Sequence, residues 1–468
     1  MNILLISPAS GNWRGLGRER RGRGRTFRFS MLSLLTVAAL TPKSAKVRIV
    51  DEQVEEVPED ESFDLVGITA MTATAPRAYE LCRRFRAKGT PVVLGGFHPT
   101  LNTAEALEHA DAVVMGSAFG AWPKLVEDFE AGRMDRVYYG DPAAPVPATL
   151  PRGLMKQRRY LTVNATYATL GCRNRCRFCT ITQFHRGCRY TRPVSEVVAE
   201  VASFRGRFFI FVDDNLTQDR DYVVELLTRL IPLRKRWITQ ASIEIADDQE
   251  LLKLLRASGC VGLFVGLESF SERALCSQEK LVNAPARYRA AVAKLHDHGI
   301  FVESGIIFGF DTDGPEVFGL TLEMLDEIGI DAIQVSILTP VPGTPLFKDM
   351  ESRIVDRNWE HYDYRHVVFT PARMTPQELQ AGADWVIRRY YSPGRILKRL
   401  PRWLRMPGGY TRFVYPLFLN LAYWQRVKDF LIRGYNPAAN SVQEAPASLE
   451  ATLHLEISGR ATCGVRWP

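Results

Sequence analysis

Tyr167-Ala168-Thr169-Leu170-Gly171-Cys172-Arg173-Asn174-Arg175-Cys176-Arg177-Phe178-Cys179 runs from a short apolar, strand-like segment into three cysteines separated by three and then two residues. Downstream of it, apolar runs and amphipathic segments alternate. Strands are expected at 167–171, 208–213, 238–244, 262–268, 303–308 and 332–338, and helices at 193–204, 220–236, 248–258, 286–298 and 315–328. Three of these helices run into Gly259, Gly299 and Gly329, the residue type that a left-handed C-terminal cap favours. Six β–α repeats with right-handed crossovers predict a partial (β/α)6 barrel of the TIM type over residues 166–374. Chemistry in such a barrel belongs at the carboxyl ends of its strands, and the cysteine triplet lies at the end of the first.

Upstream, residues 1–140 carry a second alternation. Strands are expected at 2–7, 47–51, 65–71, 92–95, 112–116 and 137–139, and helices at 30–40, 75–88, 103–110 and 121–131. Several of the strands are continuous apolar runs, as in a parallel sheet covered on both faces, so this part reads as a doubly wound, Rossmann-like α/β domain. Ligands of such sheets sit beyond the carboxyl ends of the strands. The loops there are Ser7-Pro8, Thr69 to Thr74, Gly95 to Thr100 and Gly116 to Gly120. A Pro-rich stretch marks 141–165 as a linker. Residues 375–437 read as a helical, basic extension opened by the capping-box pattern Thr375-Pro376-Gln377-Glu378. Residues 438–468 are weakly periodic and expected to form a poorly ordered tail.

The 468 residues are 46% hydrophobic and 24% charged, proportions of an ordinary globular protein that exclude a disordered, collagenous or disulfide-scaffold chain. The net charge of +8 makes no case for nucleic acid. No apolar run reaches the ~18 residues of a spanning helix. Met1-Asn2 leads straight into Ile3-Leu4-Leu5-Ile6 without a basic export region, so a cytoplasmic, reducing location is expected, where clustered cysteines bind metal. Two basic segments stand out. Residues 14–28 hold seven arginines and one glutamate among glycines, either a phosphate contact or a solvated loop. Residues 395–412 hold six basic residues ahead of the aromatic run 413–424, which either docks on the barrel or lies peripherally on the inner face of a membrane.

Three thiolates within eight residues suit an iron–sulfur centre, and on a four-iron cube they leave one iron open. Arg173, Arg175 and Arg177 favour the thiolate form. The competing reading is a zinc site completed by His185 or Cys188. The second strand ends in Asp213-Asp214-Asn215, whose two carboxylates need partners in a ligand or in a turn. Alternation places Gln240, Ser242 and Glu244 on one face of the third strand. At the end of the fourth, Gly266 allows close approach and Glu268 suits a cationic or hydroxyl group.

The CxxxCxxC spacing, with Phe178 before the third cysteine, resembles the radical S-adenosylmethionine (SAM) enzymes. The α/β domain resembles the cobalamin-binding domain of their cobalamin-dependent branch, through Gly95-Gly96-Phe97-His98-Pro99-Thr100 and the segment 112–122, and the second half is similar to that branch through Gly266-Leu267-Glu268-Ser269 and Val341-Pro342-Gly343-Thr344-Pro345. The likeness spans residues 1–375. It implies that Cys172, Cys176 and Cys179 hold a [4Fe–4S] cluster whose open iron chelates SAM. One electron, from a donor such as a flavodoxin or ferredoxin, then releases methionine and a 5′-deoxyadenosyl radical. It implies SAM contacts at Phe178, Asp213, Gln240, Ser242 and Glu268, and cobalamin contacts at Thr69, Gly95, Gly96, His98 and Gly116. His98 either meets the nucleotide tail or caps the following helix, and Phe178 either meets adenine or packs in the core.

The expected function is methylation of an unactivated carbon of a small molecule or lipid, with cobalamin carrying the methyl. The alternative is a non-methylating radical rearrangement, cyclisation or dehydration. Two departures bear on this. No DxHxxG motif is present, and Gly116-Ser117-Ala118-Phe119-Gly120 lacks the carboxylate common in related sequences, so a vestigial domain without cobalamin also stands. An RNA methylthiotransferase needs further N-terminal cysteines, where only Cys82 is found.

Overall fold

A computed structural model describes residues 1–10, 26–29, 31–58, 60–141 and 143–432. The tail 438–468 and most of the arginine-rich stretch, residues 14–25, lie outside the described residues.

The first sheet has six parallel strands in the order Lys46–Asp51, Asn2–Ser7, Leu65–Thr69, Val92–Gly95, Ala112–Met115, Val137–Tyr139. Several of its strands are continuous apolar runs because side chains of alternate residues enter two different cores. Ile3, Leu5, Val93 and Val114 pack with Leu35, Trp122 and Leu125 on one face. Leu4, Ile6, Val66 and Leu94 pack with Leu81 and Phe85 on the other. The chain reverses its winding beside the first strand, which opens a crevice at the carboxyl ends.

The second sheet is also parallel and six-stranded, in the sequential order Ala165–Thr166, Phe208–Phe211, Arg236–Ala241, Cys260–Glu268, Phe301–Phe308, Ala332–Ile337. It curves around a lumen as a partial barrel. Three expectations change in detail. Residues 167–171 do not continue the first barrel strand: Thr169–Leu170 instead pairs antiparallel with Tyr190–Thr191. The expected helix 220–236 stops at Leu230, because Pro232 lacks the N–H the next turn needs. The third strand ends at Ala241, not at 244. Ile243, Ile245 and Ala246 are all buried, a spacing that suits the 3-10 turn Ile243–Asp247 rather than an alternating strand.

Three helices follow, Pro376–Tyr390, Pro393–Arg405 and Tyr410–Ile432, the first with the reciprocal Thr375–Glu378 capping box. The first packs beside the edge strand Ala332–Ile337 and the helix Val317–Ile328, and the other two close the bottom of the barrel. Ile396, Trp403 and Met406 pack with Val261 and Phe301, and Phe413, Tyr415, Leu417 and Trp424 join them. Much of the positive charge of this extension points inward. Arg402 donates to the carbonyl of Gly329 and Arg412 to that of Gly299, at helix carboxyl ends where the helix dipole favours cations. Arg399 lies over the Tyr390 ring, 3.6 Å from its centre, and bonds Asn420.

Candidate functional site

The cysteine loop is held from outside. Asp213, buried at the end of the second barrel strand, accepts the N–H groups of Ala168 and Thr169 and the Thr169 hydroxyl at 2.9 Å. Asp214 accepts the Gly171 N–H at 2.7 Å. Gln218 accepts from the Arg173 N–H and donates to the Gly171 carbonyl, both at 2.9 Å. These bonds take the donors that a continuing strand would give to a neighbour, and they explain why the chain peels away at 168. Burial pushes the Asp213 carboxyl up to about 7, while its backbone donors pull the other way. Asp213 therefore differs from its expected role: its oxygens are engaged by the chain itself, and it positions the loop. Asn215, which had no role of its own in the sequence reading, donates from Nδ2 to Ser242 Oγ at 3.0 Å and to Cys172 Sγ at 4.0 Å.

Cys172, Cys176 and Cys179 are free thiols. Burial pushes Cys176 up and Cys179 up to about 12, so both need a metal or cation to persist as thiolates. Among the described residues no three His, Cys, Asp or Glu side chains converge closely enough to hold a single ion. Zinc draws its ligands to ~2.0–2.3 Å, whereas a four-iron cube spreads its cysteines over separate irons. The proposed fourth zinc ligands are also turned elsewhere. His185 Nε2 faces Asp214 at 3.6 Å, and Cys188 packs against the core of the first domain. A triad of soft thiolates with neither expected fourth zinc ligand turned to it fits an iron–sulfur cluster.

Across the barrel mouth, Glu268 is buried with its carboxyl pushed up by that burial, and Lys280 pairs with it at 3.3 Å. Gln240 is exposed in the lumen and Ser242 half-buried beside it, while Glu244 leaves that row to pair with Arg173. Phe178 packs against the barrel core, the plainer of its two expected roles. Deeper in the lumen, Glu303 accepts from Tyr423 at 2.6 Å and from Gln334 at 2.9 Å. Lys280 and Tyr423 escaped the sequence reading. Lys280 stands in an irregular turn, and Tyr423 reaches the lumen from the last helix, neither marked by any motif.

Between the two domains lies a cavity of about 470 Å³. The first domain contributes Ser7, Pro8, Thr69, Gly95, Gly96, Gly116 and Trp122, and the barrel contributes Tyr167, Leu170, Phe184, His185, Val212 and Asp214. At Gly96 φ is 96°, and a Cβ there would stand 2.6 Å from Thr69 Oγ1, so only glycine leaves this wall open. His185 Nδ1 is buried without a hydrogen-bond partner, an orphan polar atom in the wall of an otherwise apolar space. Such walls fit a large flat cofactor. His98 is the exception among the expected contacts. It is fully buried behind the wall, with Nδ1 3.3 Å from Thr72 Oγ1 and Nε2 3.0 Å from the Tyr79 hydroxyl. It neither lines the cavity nor caps a helix. It crosslinks the first domain.

Comparison with known proteins bears on the same two regions. Residues 166–325 match the model of the radical SAM superfamily, and residues 33–126 match that of the B12-binding domain. The bacteriochlorophyllide d C-12(1)-methyltransferase of Chlorobaculum tepidum is 32% identical over 384 residues, covering 79% of this chain and 84% of that one. The hopanoid C-2 methylase of Rhodopseudomonas palustris is 28% identical, over 78% of this chain and 72% of its own. The fold of the radical SAM methyltransferase TsrM from Kitasatospora setae, solved with cobalamin and a [4Fe–4S] cluster, superposes with a TM-score of 0.63 at 14% identity, over 92% of this chain and 99% of that one. A thiol triad suited to an iron–sulfur cube, an apolar inter-domain cavity and a relative matched across both domains agree: the chain belongs to the cobalamin-dependent radical SAM enzymes, with a [4Fe–4S] cluster, SAM and cobalamin as its cofactors.

Proposed function

We propose that this radical SAM C-methyltransferase acts on a tetrapyrrole of the bacteriochlorophyllide type, at an unactivated carbon of its periphery. The observation that carries the reading is the 32% identity to the C-12(1)-methyltransferase, which extends through both domains rather than over the barrel alone. Cys172, Cys176 and Cys179 hold the cluster, which supplies one-electron cleavage of SAM when bound. Gln240, Ser242 and Glu268 receive SAM at the barrel mouth, and the half-buried Ser242 is already oriented by Asn215. Thr69, Gly95, Gly96 and Gly116 receive the corrinoid, and their wall excludes water from the path between the two domains. A flavodoxin or ferredoxin supplies the electron.

A second reading, a polycyclic lipid substrate, is favoured by the surface of the extension. Leu397, Leu404 and Tyr410 are exposed beside Lys398 and Arg405, and Phe418 and Leu421 are exposed on the last helix. Among the described residues no helix is long and apolar enough to cross a membrane. Such a face suits peripheral contact with an anionic bilayer through 395–424.

The test is anaerobic reconstitution with iron, sulfide and cobalamin, then incubation with methyl-labelled SAM, a reductant and either bacteriochlorophyllide d or a hopanoid. Label in the tetrapyrrole together with 5′-deoxyadenosine supports the first reading. Label in the hopanoid alone replaces it with the second. 5′-Deoxyadenosine with no label transferred to either overturns both substrate readings.

A further inference from the structure

The fourth barrel strand ends irregularly. Its pairing with the fifth shifts register between Gly266 and Glu268, and Glu268 adopts φ of 64°, the left-handed region where a side chain other than glycine's is strained. The consequence is a carboxylate folded back over its own strand. A Cβ at Gly266 would stand 2.2 Å from Glu268 Oε1, so the fold-back depends on that glycine. Glu268 Oε1 then meets Lys280 Nζ at 3.3 Å, with both side chains close to nine-tenths buried.

The turn that carries Lys280 is bonded to the cysteine loop itself. The Arg177 N–H, between Cys176 and Cys179, donates to the Gln278 carbonyl at 3.0 Å, and the Arg177 guanidinium meets Glu279 at 3.1 Å. Asn283 fixes the other side of the turn by donating to the carbonyls of Gly266 and Leu267, each at 2.8 Å. An ammonium is thus held at the strand end, on a turn that is bonded to the cysteine loop. Cys176 and Cys179 both lie within its electrostatic reach.

A buried ion pair is a poor stabiliser, since desolvation offsets its attraction and apolar replacements are often neutral or better. Strain at Glu268 adds to the cost. A pair retained under these conditions at a redox centre points to an electrostatic task. Reduction adds negative charge to a cluster, and cluster potentials respond to nearby charge, more so where the dielectric is low.

We propose that Lys280, oriented by Glu268, sets the reduction potential of the iron–sulfur centre: the lysine charge raises it and the glutamate limits the rise. The proposal rests on the reading of Cys172, Cys176 and Cys179 as the cluster ligands. The experiment keeps the two apart, because iron content and the cluster's paramagnetic signal report the ligands while the midpoint potential reports the pair.

The full chain is reconstituted anaerobically and titrated electrochemically without SAM, following the signal of the reduced cluster. Lys280→Met keeps the length and removes the charge, Glu268→Gln removes the opposing charge, and Lys280→Arg restores the cation. Iron near the wild-type content in all three is expected, with the potential lower in Lys280→Met, higher in Glu268→Gln and close to wild type in Lys280→Arg. A wild-type potential in both charge-removing variants, or shifts of the same sign, overturns the proposal. Should Lys280→Met fail to hold iron, Glu268→Gln decides: a raised potential sustains the proposal and an unchanged one overturns it.

Discussion

The cysteine loop and the inter-domain cavity lie on either side of the helix Thr180–Phe184, and they are built by opposite means. The loop has little regular secondary structure, and its shape is imposed by side chains from neighbouring strand ends: Asp213, Asp214, Asn215 and Gln218 on one side, the Lys280 turn on the other. The cavity wall is formed by apolar side chains and glycines, with few polar atoms directed into it. A charged inorganic cluster needs its ligands fixed before it arrives, because thiolates close together repel. A large flat cofactor needs space and apolar surface, and supplies the contacts itself. Substitutions that damage one region while sparing the other test this division.

The largest effect is expected from Cys176→Ala, which removes a ligand outright. Bound iron and 5′-deoxyadenosine formation should be lost, while cobalamin binding, followed by its visible spectrum, persists. Retention of an intact, SAM-cleaving cluster would remove the loop from the site. Next is Asp213→Ala. It strands two buried N–H groups and a hydroxyl, at about 1–3 kcal/mol for each unsatisfied group. A lowered denaturation midpoint and poor iron retention are expected, again with little change at the cavity.

The reciprocal experiment is Gly96→Val, which forces a side chain into Thr69 at a left-handed position. Cobalamin affinity should fall by about tenfold or more, equivalent to ~1.4 kcal/mol, with iron content unchanged. If cobalamin still binds as in the wild type, the wall is misassigned. The smallest functional change is expected at His98. His98→Ala removes the bonds to Thr72 and Tyr79 and should lower stability by about 1–2 kcal/mol in chemical denaturation, leaving the spectrum of bound cobalamin as it was. A changed cobalamin spectrum would return His98 to the cavity.

Much of this was legible in the chain. Uninterrupted apolar strands announced a sheet covered on both faces, and the burial of Ile3, Leu4, Leu5 and Ile6 bears that out. Six repeats announced the partial barrel. His98 illustrates what was not legible: a histidine in a glycine-bearing loop looks like a ligand, but one more helical residue of chain direction carries it behind the wall. The basic run holding Arg399, Arg402 and Arg412 left docking and membrane contact both open; Arg399 turns back onto the Tyr390 ring and carbonyl, while Arg402 and Arg412 reach carbonyls of Gly329 and Gly299, far off in sequence.

By itself the sequence determined what is local. The cysteine spacing, the two hydrophobic periods and the glycines that end helices are set by interactions within a few residues, and these survive in a linear reading. Only the tertiary structure decided which polar groups serve a ligand and which serve the chain. Asp213 and Asp214 are adjacent in sequence and both hold the loop, but Asp214 also borders the cavity and Asp213 does not. Lys280 stands on a turn bonded to the cysteine loop about a hundred residues before it, and a register shift at Glu268 folds a carboxylate back to meet it. A buried charge takes its meaning from its partner, and that partner is chosen by packing across the barrel, which no neighbouring residue encodes.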